Sequence, residues 1–206
     1  MEGGLTRKSV KGRKIPFRVL LWAFAFCLAG AANAIADDAV TIYAAGYSVD
    51  SHGVEVAGYW KNGTWVGLTP LDTEQDAYVR ALAIVGADVY AGGWSDTNIN
   101  VPGYWKNRAW VQLTPFDAAD DAMVYFVVVG SADVYAGGFS MNSSGREKAG
   151  YWKNGAWVAL PLLDANVDTE PHEAGEGSDA YYLVLSGSDL CAGGCNLSSD
   201  QVELAG

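Results

Sequence analysis

Hydrophobic positions along the chain fall into short runs that are separated by glycine-containing turns and polar segments. Residues 81–85, 126–129 and 182–185 are apolar runs of strand length, and each leads into a turn that contains glycine. Short apolar runs bounded by turn signals are typical of buried β-strands. Residues 37–206 show no convincing helical periodicity. The pattern therefore predicts an all-β fold.

Three short sequence blocks recur along residues 41–206. Gly-Tyr-Trp-Lys-Asn recurs with offsets of 45 and 47 residues, at 58–62, 103–107 and 150–154. Asp-Val-Tyr-Ala-Gly-Gly stands at 88–93 and 133–138, with altered copies at 41–46 and 189–194. Trp-Val-x-Leu stands at 65–68, 110–113 and 157–160. Four short antiparallel strands in about 45 residues form one β-propeller blade, so the repeat predicts four-stranded antiparallel blades.

Each Gly-Tyr-Trp block ends in a short turn signal. Asn62-Gly63 and Asn154-Gly155 suit a type I′ turn, in which both central residues have positive φ. Because arginine is strained at positive φ, we expect a longer or looser turn at Asn107-Arg108. A two-residue turn places its flanking residues opposite each other, which predicts cross-strand pairs of tryptophans. The pairs are Trp60 with Trp65, Trp105 with Trp110, and Trp152 with Trp157.

These blocks resemble a repeat found in secreted bacterial β-propeller-like proteins, and the resemblance spans about residues 41–206. The resemblance implies a propeller fold and a secreted bacterial location, and it implies no catalytic residues. We count about 13 strands: three of a first blade, complete blades at about 77–113 and 122–160, and two strands at about 180–197. The propeller is thus incomplete, with about three blades plus a partial one. A fragment of a longer propeller, association of two copies and an open three-bladed sector remain as explanations.

Residues 1–36 have the parts of a secretory signal peptide. Six basic residues within 1–18 precede an uncharged apolar run over 19–32, and Ala34-Ile35-Ala36 is a small-x-small cleavage site. An uncleaved membrane anchor is the alternative, but the run is short for a span of about 20 residues. Residues 37–206 form the predicted mature domain, which we expect to be secreted, periplasmic or at the cell surface, without a stable membrane span.

The net negative charge of the chain limits the classes of molecule that it is expected to bind. The full chain has a net charge of −11, and cleavage after Ala36 leaves seven basic and 23 acidic residues, a net charge of −16. Because phosphate binding needs clustered Lys and Arg, we expect no nucleic-acid partner. A protein or glycan partner remains open, as does self-association that completes the propeller.

The six paired tryptophans have two interpretations. Exposed indoles form platforms for sugars or other flat ligands, whereas buried indoles pack neighbouring blades together. One buried tryptophan removes about 150–250 Å² from water, and stacking needs an apolar face in every unit. We therefore predict a structural role for all six.

Acidic residues crowd the segments that connect successive units. Asp72 with Asp76, and Asp117 with Asp121 at the equivalent place, would form a ring of Ca²⁺ ligands if these segments share one face. Solvated turns are the alternative interpretation, and no EF-hand spacing is present. We expect no other cofactor.

Candidate ligand contacts lie in the variable segments. They are Trp94, Phe139, and the constellation of Glu170, His172 and Glu173 in an insertion of the third unit. Elsewhere, Cys191 and Cys195 replace aromatic residues of the second block and lie about 13 Å apart on an extended strand. That separation is too long for a disulfide, so we expect two thiols if the strand is extended.

The sequence thus predicts a secreted, acidic, non-catalytic binding or scaffold protein of β-propeller type. A carbohydrate- or calcium-binding module is the alternative. A glycoside hydrolase-like enzyme is a more distant one, because the sequence does not place two carboxylates at a catalytic separation. The sequence has no His/Cys metal cluster, nucleophile elbow or phosphate loop.

Overall fold

The computed structural model describes residues 40–161, 178–197 and 203–205, in which every regular element is a β-strand. The first sheet comprises β1 (Tyr43–Val49), β2 (Glu55–Lys61) and β3 (Thr64–Gly67). The second comprises β4 (Ala77–Val85), β5 (Asp88–Asp96), β6 (Asn100–Lys106) and β7 (Ala109–Gln112). The third comprises β8 (Ala122–Val129), β9 (Val134–Met141), β10 (Glu147–Lys153) and β11 (Ala156–Ala159). The fourth comprises β12 (Asp179–Ser186), β13 (Asp189–Leu197) and β14 (Glu203–Ala205).

Each sheet is an antiparallel meander whose strands are neighbours in chain order. This confirms the predicted all-β class and the two complete four-stranded units. The described residues hold 14 strands, one more than we expected, because β14 pairs with the end of β13. The predicted signal peptide lies outside the described residues. Within them, no helix has the length and apolar character needed to cross a membrane.

The sheets stack on one another in chain order. The first strand of each later sheet packs against the sheet before it: β4 against β1 and β2, β8 against β4 and β5, and β12 against β8 and β9. The same contact is therefore repeated three times. Apolar clusters lie between the first and second sheets and between the second and third sheets.

A one-residue bulge recurs in the first strand of the last three sheets. The register of each strand against its partner shifts at Arg80, Tyr125 and Tyr181. A bulge inserts one residue into the strand and redirects the side chains around it. Glycine stands opposite each bulge, at Gly93, Gly138 and Gly194, where a Cβ atom would overlap the backbone of the first strand.

The Gly-Tyr-Trp hairpins share one two-residue turn, so the expectation of a looser turn at Asn107-Arg108 is wrong. Lys106 pairs with Ala109 across this turn, and Arg108 adopts a φ of 77°. The asparagine holds the turn against the second strand of its sheet. Asn107 donates its backbone N–H to the Val89 carbonyl and accepts the Val89 N–H on Oδ1, both at 2.9 Å. These bonds fix the turn even where no glycine follows.

The Arg108→Gly substitution should raise the free energy of unfolding by about 0.5–1 kcal/mol, because it removes the cost of a left-handed arginine. Glycine occupies this position in the other two turns, at Gly63 and Gly155, both with positive φ. Urea denaturation of the variant and the parent chain measures the change. Arg108→Ala is the control, since it removes the side chain but keeps the strain. Equal unfolding midpoints for the two variants would contradict the explanation.

The tryptophans pair across the hairpins as predicted, with Trp60, Trp105 and Trp152 opposite Trp65, Trp110 and Trp157. The ring centroids in each pair lie 4.5–4.6 Å apart. Trp105 and Trp152 are fully buried against the preceding sheet. Trp60 faces the side of the first sheet that no described sheet covers, and it is only half-buried. Two of the three pairs therefore join sheets.

Candidate functional site

Aromatic side chains form a continuous row from the first sheet to the fourth. The row consists of Tyr47, Tyr78, Trp94, Tyr125, Phe139 and Tyr181. Neighbouring ring centroids in it lie 4.9–6.5 Å apart. Three of them lie near the starts of the first strands β4, β8 and β12, and the other three lie near the ends of β1, β5 and β9. The sheets are thus connected along one edge by aromatic contacts.

The side chains along this edge form two layers. Trp94 and Phe139 of the second strands form the buried inner layer, and the bulge residues of the first strands form the outer layer over them. Arg80, Tyr125 and Tyr181 are the bulge residues, and each stands 14 positions before the residue that it covers on the second strand. The Arg80 guanidinium lies 5.0 Å from the centroid of the Trp94 ring, and the Tyr125 ring lies 5.8 Å from Phe139. The Tyr181 hydroxyl lies 3.4 Å from the Cys195 sulfur.

This layering corrects the expectation that Trp94 and Phe139 contact a ligand. Trp94 is 4% exposed and Phe139 is 2% exposed, because the bulge residues lie over them. The exposed members of the row are Tyr47 at 44% and Tyr181 at 37%. Tyr47 occupies the register position of Trp94 in the first sheet, where no bulge residue of the described chain covers it.

Carboxylates border the aromatic row. Burial raises the pKa of Glu147 to about 7, and the neighbouring Asp179 carboxylate adds to the shift. Burial also raises the pKa of Asp96 to about 6, with Asp76 and Asp121 as nearby negative charges. The Asp179 carboxylate accepts a hydrogen bond from the Tyr181 hydroxyl at 3.1 Å. The edge therefore combines aromatic faces, phenol hydroxyls and half-buried acids.

The four aspartates considered as Ca²⁺ ligands all accept hydrogen bonds from backbone N–H groups. Asp76 accepts the Glu55 N–H at 2.8 Å and Asp121 accepts the Asn100 N–H at 2.7 Å, and both bonds join one sheet to the next. Asp72 and Asp117 cap turns by accepting the N–H groups of Glu74 and Ala119. In the described part of the chain, no group of three His, Cys, Asp or Glu side chains is placed to hold a metal ion.

The other residues singled out in the sequence are those of the insertion in the third unit and the two cysteines of the fourth sheet. Glu170, His172 and Glu173 lie outside the described residues. Cys191 and Cys195 lie on the continuous strand β13 and are thiols, as the separation along an extended strand predicted. The outer layer of the aromatic row was missed by sequence reasoning, since Arg80, Tyr125 and Tyr181 stand directly before the apolar runs and nothing in the local sequence marks a bulge there. The recurring spacing of 14 residues between each bulge residue and its second-strand partner is a signal that could have revealed it.

The chain matches no known protein-family model, and no curated protein sequence is significantly similar to it.

Proposed function

We propose that the chain is a secreted, non-catalytic binding protein of β-propeller type that holds its ligand along the aromatic row. The observation that carries this proposal is the continuity of the row across four sheets, with Tyr47 and Tyr181 exposed and Tyr125 between them. Each member is fixed to a strand or bulge, and sites on rigid elements present side chains with defined geometry.

The chemistry of the row suits a carbohydrate. Aromatic faces pack against the C–H faces of sugar rings, and the phenol hydroxyls and carboxylates of Tyr181, Glu147 and Asp179 supply hydrogen bonds to hydroxyl groups. The strongly acidic character of the chain disfavours anionic ligands and leaves neutral glycans as the class we propose.

A glycan array probed with the purified chain tests this proposal, and affinities for any ligand found are measured by calorimetry. Tyr181→Ala should weaken binding about tenfold, because one aromatic contact contributes about 1.5 kcal/mol. Tyr182→Ala is the matched control, since Tyr182 is the next residue, is 61% exposed and contacts Phe126 instead of the row. We expect the control to bind like the parent chain. An array without ligands, or equal losses in both variants, would refute the carbohydrate proposal.

A further inference from the structure

A carboxylate replaces an apolar side chain at one repeated position of the fold. Asp96 is the last residue of β5 and pairs with Asn100, the first residue of β6. In the other three sheets an apolar residue stands at this position and pairs with a glutamate. These pairs are Val49 with Glu55, Met141 with Glu147, and Leu197 with Glu203. The second sheet therefore keeps one carboxylate in the pair but carries it on its second strand.

Asp96 lies where hydrogen bonds join the second sheet to both of its neighbours. Its backbone N–H donates to the Asp76 carbonyl at 2.8 Å, and the Asp76 carboxylate accepts the Glu55 N–H of the first sheet at 2.8 Å. Opposite Asp96, the Asn100 N–H donates to the Asp121 carboxylate, which precedes the third sheet, at 2.7 Å. The carboxylates of Glu55, Asp76, Asp96 and Asp121 thus lie together, and we call this cluster the acidic corner.

The Asp96 carboxylate lacks the partners that an ionised group needs. Its Oδ1 atom is buried and has no hydrogen-bond partner. Within the part of the chain that the structure describes, no lysine or arginine forms a salt bridge with it. A hydrogen bond from the Trp94 side chain favours the ionised form, but burial and the surrounding negative charges oppose it. A buried oxygen without a donor, among like charges, is suited to hold a proton.

The groups packed around Asp96 are mostly acidic. The Arg80 guanidinium lies over the Trp94 ring, 5.0 Å from its centroid, and the Tyr78 hydroxyl lies beside the Glu55 carboxylate. Among these groups, four carboxylates meet one guanidinium. The charged and titratable groups that face the acidic corner from the neighbouring elements are Glu55 of β2, Asp76 before β4, Tyr78 and Arg80 of β4, Asp121 before β8, and Tyr125 of β8.

We propose that Asp96 is a pH-sensitive switch in the acidic corner. The proton that it takes up in mild acid tightens the junction between the second and third sheets, and loss of that proton near neutral pH loosens the junction. The proton removes one of the adjacent negative charges and supplies an O–H donor, for which the Asp76 and Asp121 carboxylates are the available acceptors. Because Trp94 stands two residues before Asp96 and shares its face of the sheet, the switch lies next to the aromatic row.

The direction of the pH dependence follows from the linkage between protonation and folding. Burial, together with the charges of Asp76, Asp121 and Glu55, raises the pKa of Asp96 from its ordinary value of 3.8 to about 6 in the folded chain. Between these two values the folded chain holds this proton more tightly than the unfolded chain does, so stability rises as the pH falls. The stabilisation is lost as the pH rises through about 6.

Urea denaturation of the purified chain at pH 5 and pH 7 measures the effect. Through Asp96 alone, the unfolding equilibrium constant should be about fivefold to tenfold lower at pH 5 than at pH 7. Asp96→Asn removes the titrating group with little change of shape, so its pH dependence should be smaller than that of the parent chain by this factor. Glu147 also titrates in this range, and comparing the variant with the parent cancels its contribution. Equal pH dependence in the two chains would overturn the proposal.

Two further variants assign the effect to this position. Asp72→Asn is the matched control, because Asp72 is an exposed turn aspartate in the linker before β4, and we expect it to keep the pH dependence of the parent. Asp96→Met introduces the residue type of the third sheet and should lose the same part of the pH dependence as Asp96→Asn. A folded Asp96→Met chain that titrates like the parent, or an equal loss in Asp72→Asn, would overturn the assignment to Asp96.

Amide hydrogen exchange, measured by NMR and corrected for the intrinsic effect of pH, locates the switch. In the parent chain the Asn100 N–H, which Asp121 accepts, should be protected about fivefold more at pH 5 than at pH 7, and Asp96→Asn should show no such gain. The Val89 N–H is the internal reference, since Asn107 holds it at the other end of the same sheet. No gain at Asn100, or equal gains at Asn100 and Val89, would overturn a switch at this junction.

Discussion

Trp152→Ala should lower the free energy of unfolding by about 3–5 kcal/mol, the range for replacing a buried tryptophan by alanine. Trp152 is fully buried between the second and third sheets, where it packs with Leu113, Val124 and Ala136. Its replacement leaves a cavity at this junction and also leaves the Thr114 carbonyl without the indole donor. Urea denaturation followed by circular dichroism measures the loss.

Trp60→Ala is the matched control, because Trp60 occupies the same hairpin position in the first sheet. Trp60 is only half-buried and faces no described sheet. We expect its replacement to cost about 1–2 kcal/mol, mainly through lost contact with the Trp65 ring. Equal losses at Trp60 and Trp152 would show that the hairpin pair, and not the junction between sheets, provides the stabilisation.

The tryptophan pairs show which part of the fold the sequence predicts. A two-residue turn fixes the register of its hairpin, so the pairing of Trp152 with Trp157 follows from local sequence. The burial of Trp105 and the partial exposure of Trp60 do not follow from it, because their hairpins have nearly the same sequence. Burial depends on which neighbouring sheet covers each face, and that is decided by contacts distant in the chain.

The aromatic row shows where local reasoning fails for the site. Trp94 was predicted to contact a ligand because it begins a variable segment, yet the bulge at Arg80 directs a side chain of the first strand over it. Alternation along a strand assigns faces only while the register is unbroken, and one inserted residue changes the assignment of those that follow. The predicted buried runs begin at residues 126 and 182, so Tyr125 and Tyr181, which stand directly before them, were not considered as site residues.

For the acidic segments that connect the units, the sequence predicted the equivalent positions but not the hydrogen bonds. The sequence placed Asp76 and Asp121 at equivalent points between units, and the structure keeps this equivalence. These hydrogen bonds were not predictable, because a carboxylate that accepts a backbone N–H from the preceding sheet has the same sequence pattern as a metal ligand. The N–H groups that they accept, from Glu55 and Asn100, lie 21 residues earlier in the chain.

Gly138→Ala should lower the free energy of unfolding by more than about 3 kcal/mol, or prevent folding, because of overlap within the backbone. Gly138 lies opposite the Tyr125 bulge, where an added Cβ would overlap the Met123 carbonyl oxygen and approach the Val124 Cα. The backbone atoms of two paired strands cannot move apart without breaking the ladder between them. Glycine is therefore required by the bulge, and the recurrence of Gly93 and Gly194 opposite the other two bulges has the same cause.

Gly193→Ala is the control for this prediction, because an added Cβ at Gly193 meets no atom within 4 Å and its φ is not positive. We expect a change within about 0.5 kcal/mol, since alanine also restricts the unfolded chain. Circular dichroism at 37 °C and urea denaturation compare both variants with the parent chain. If Gly138→Ala unfolds at the same urea concentration as Gly193→Ala, close approach at the bulge is not what selects glycine. The bulge would then be able to relax, and the covering of Phe139 by Tyr125 would no longer depend on the glycine opposite it.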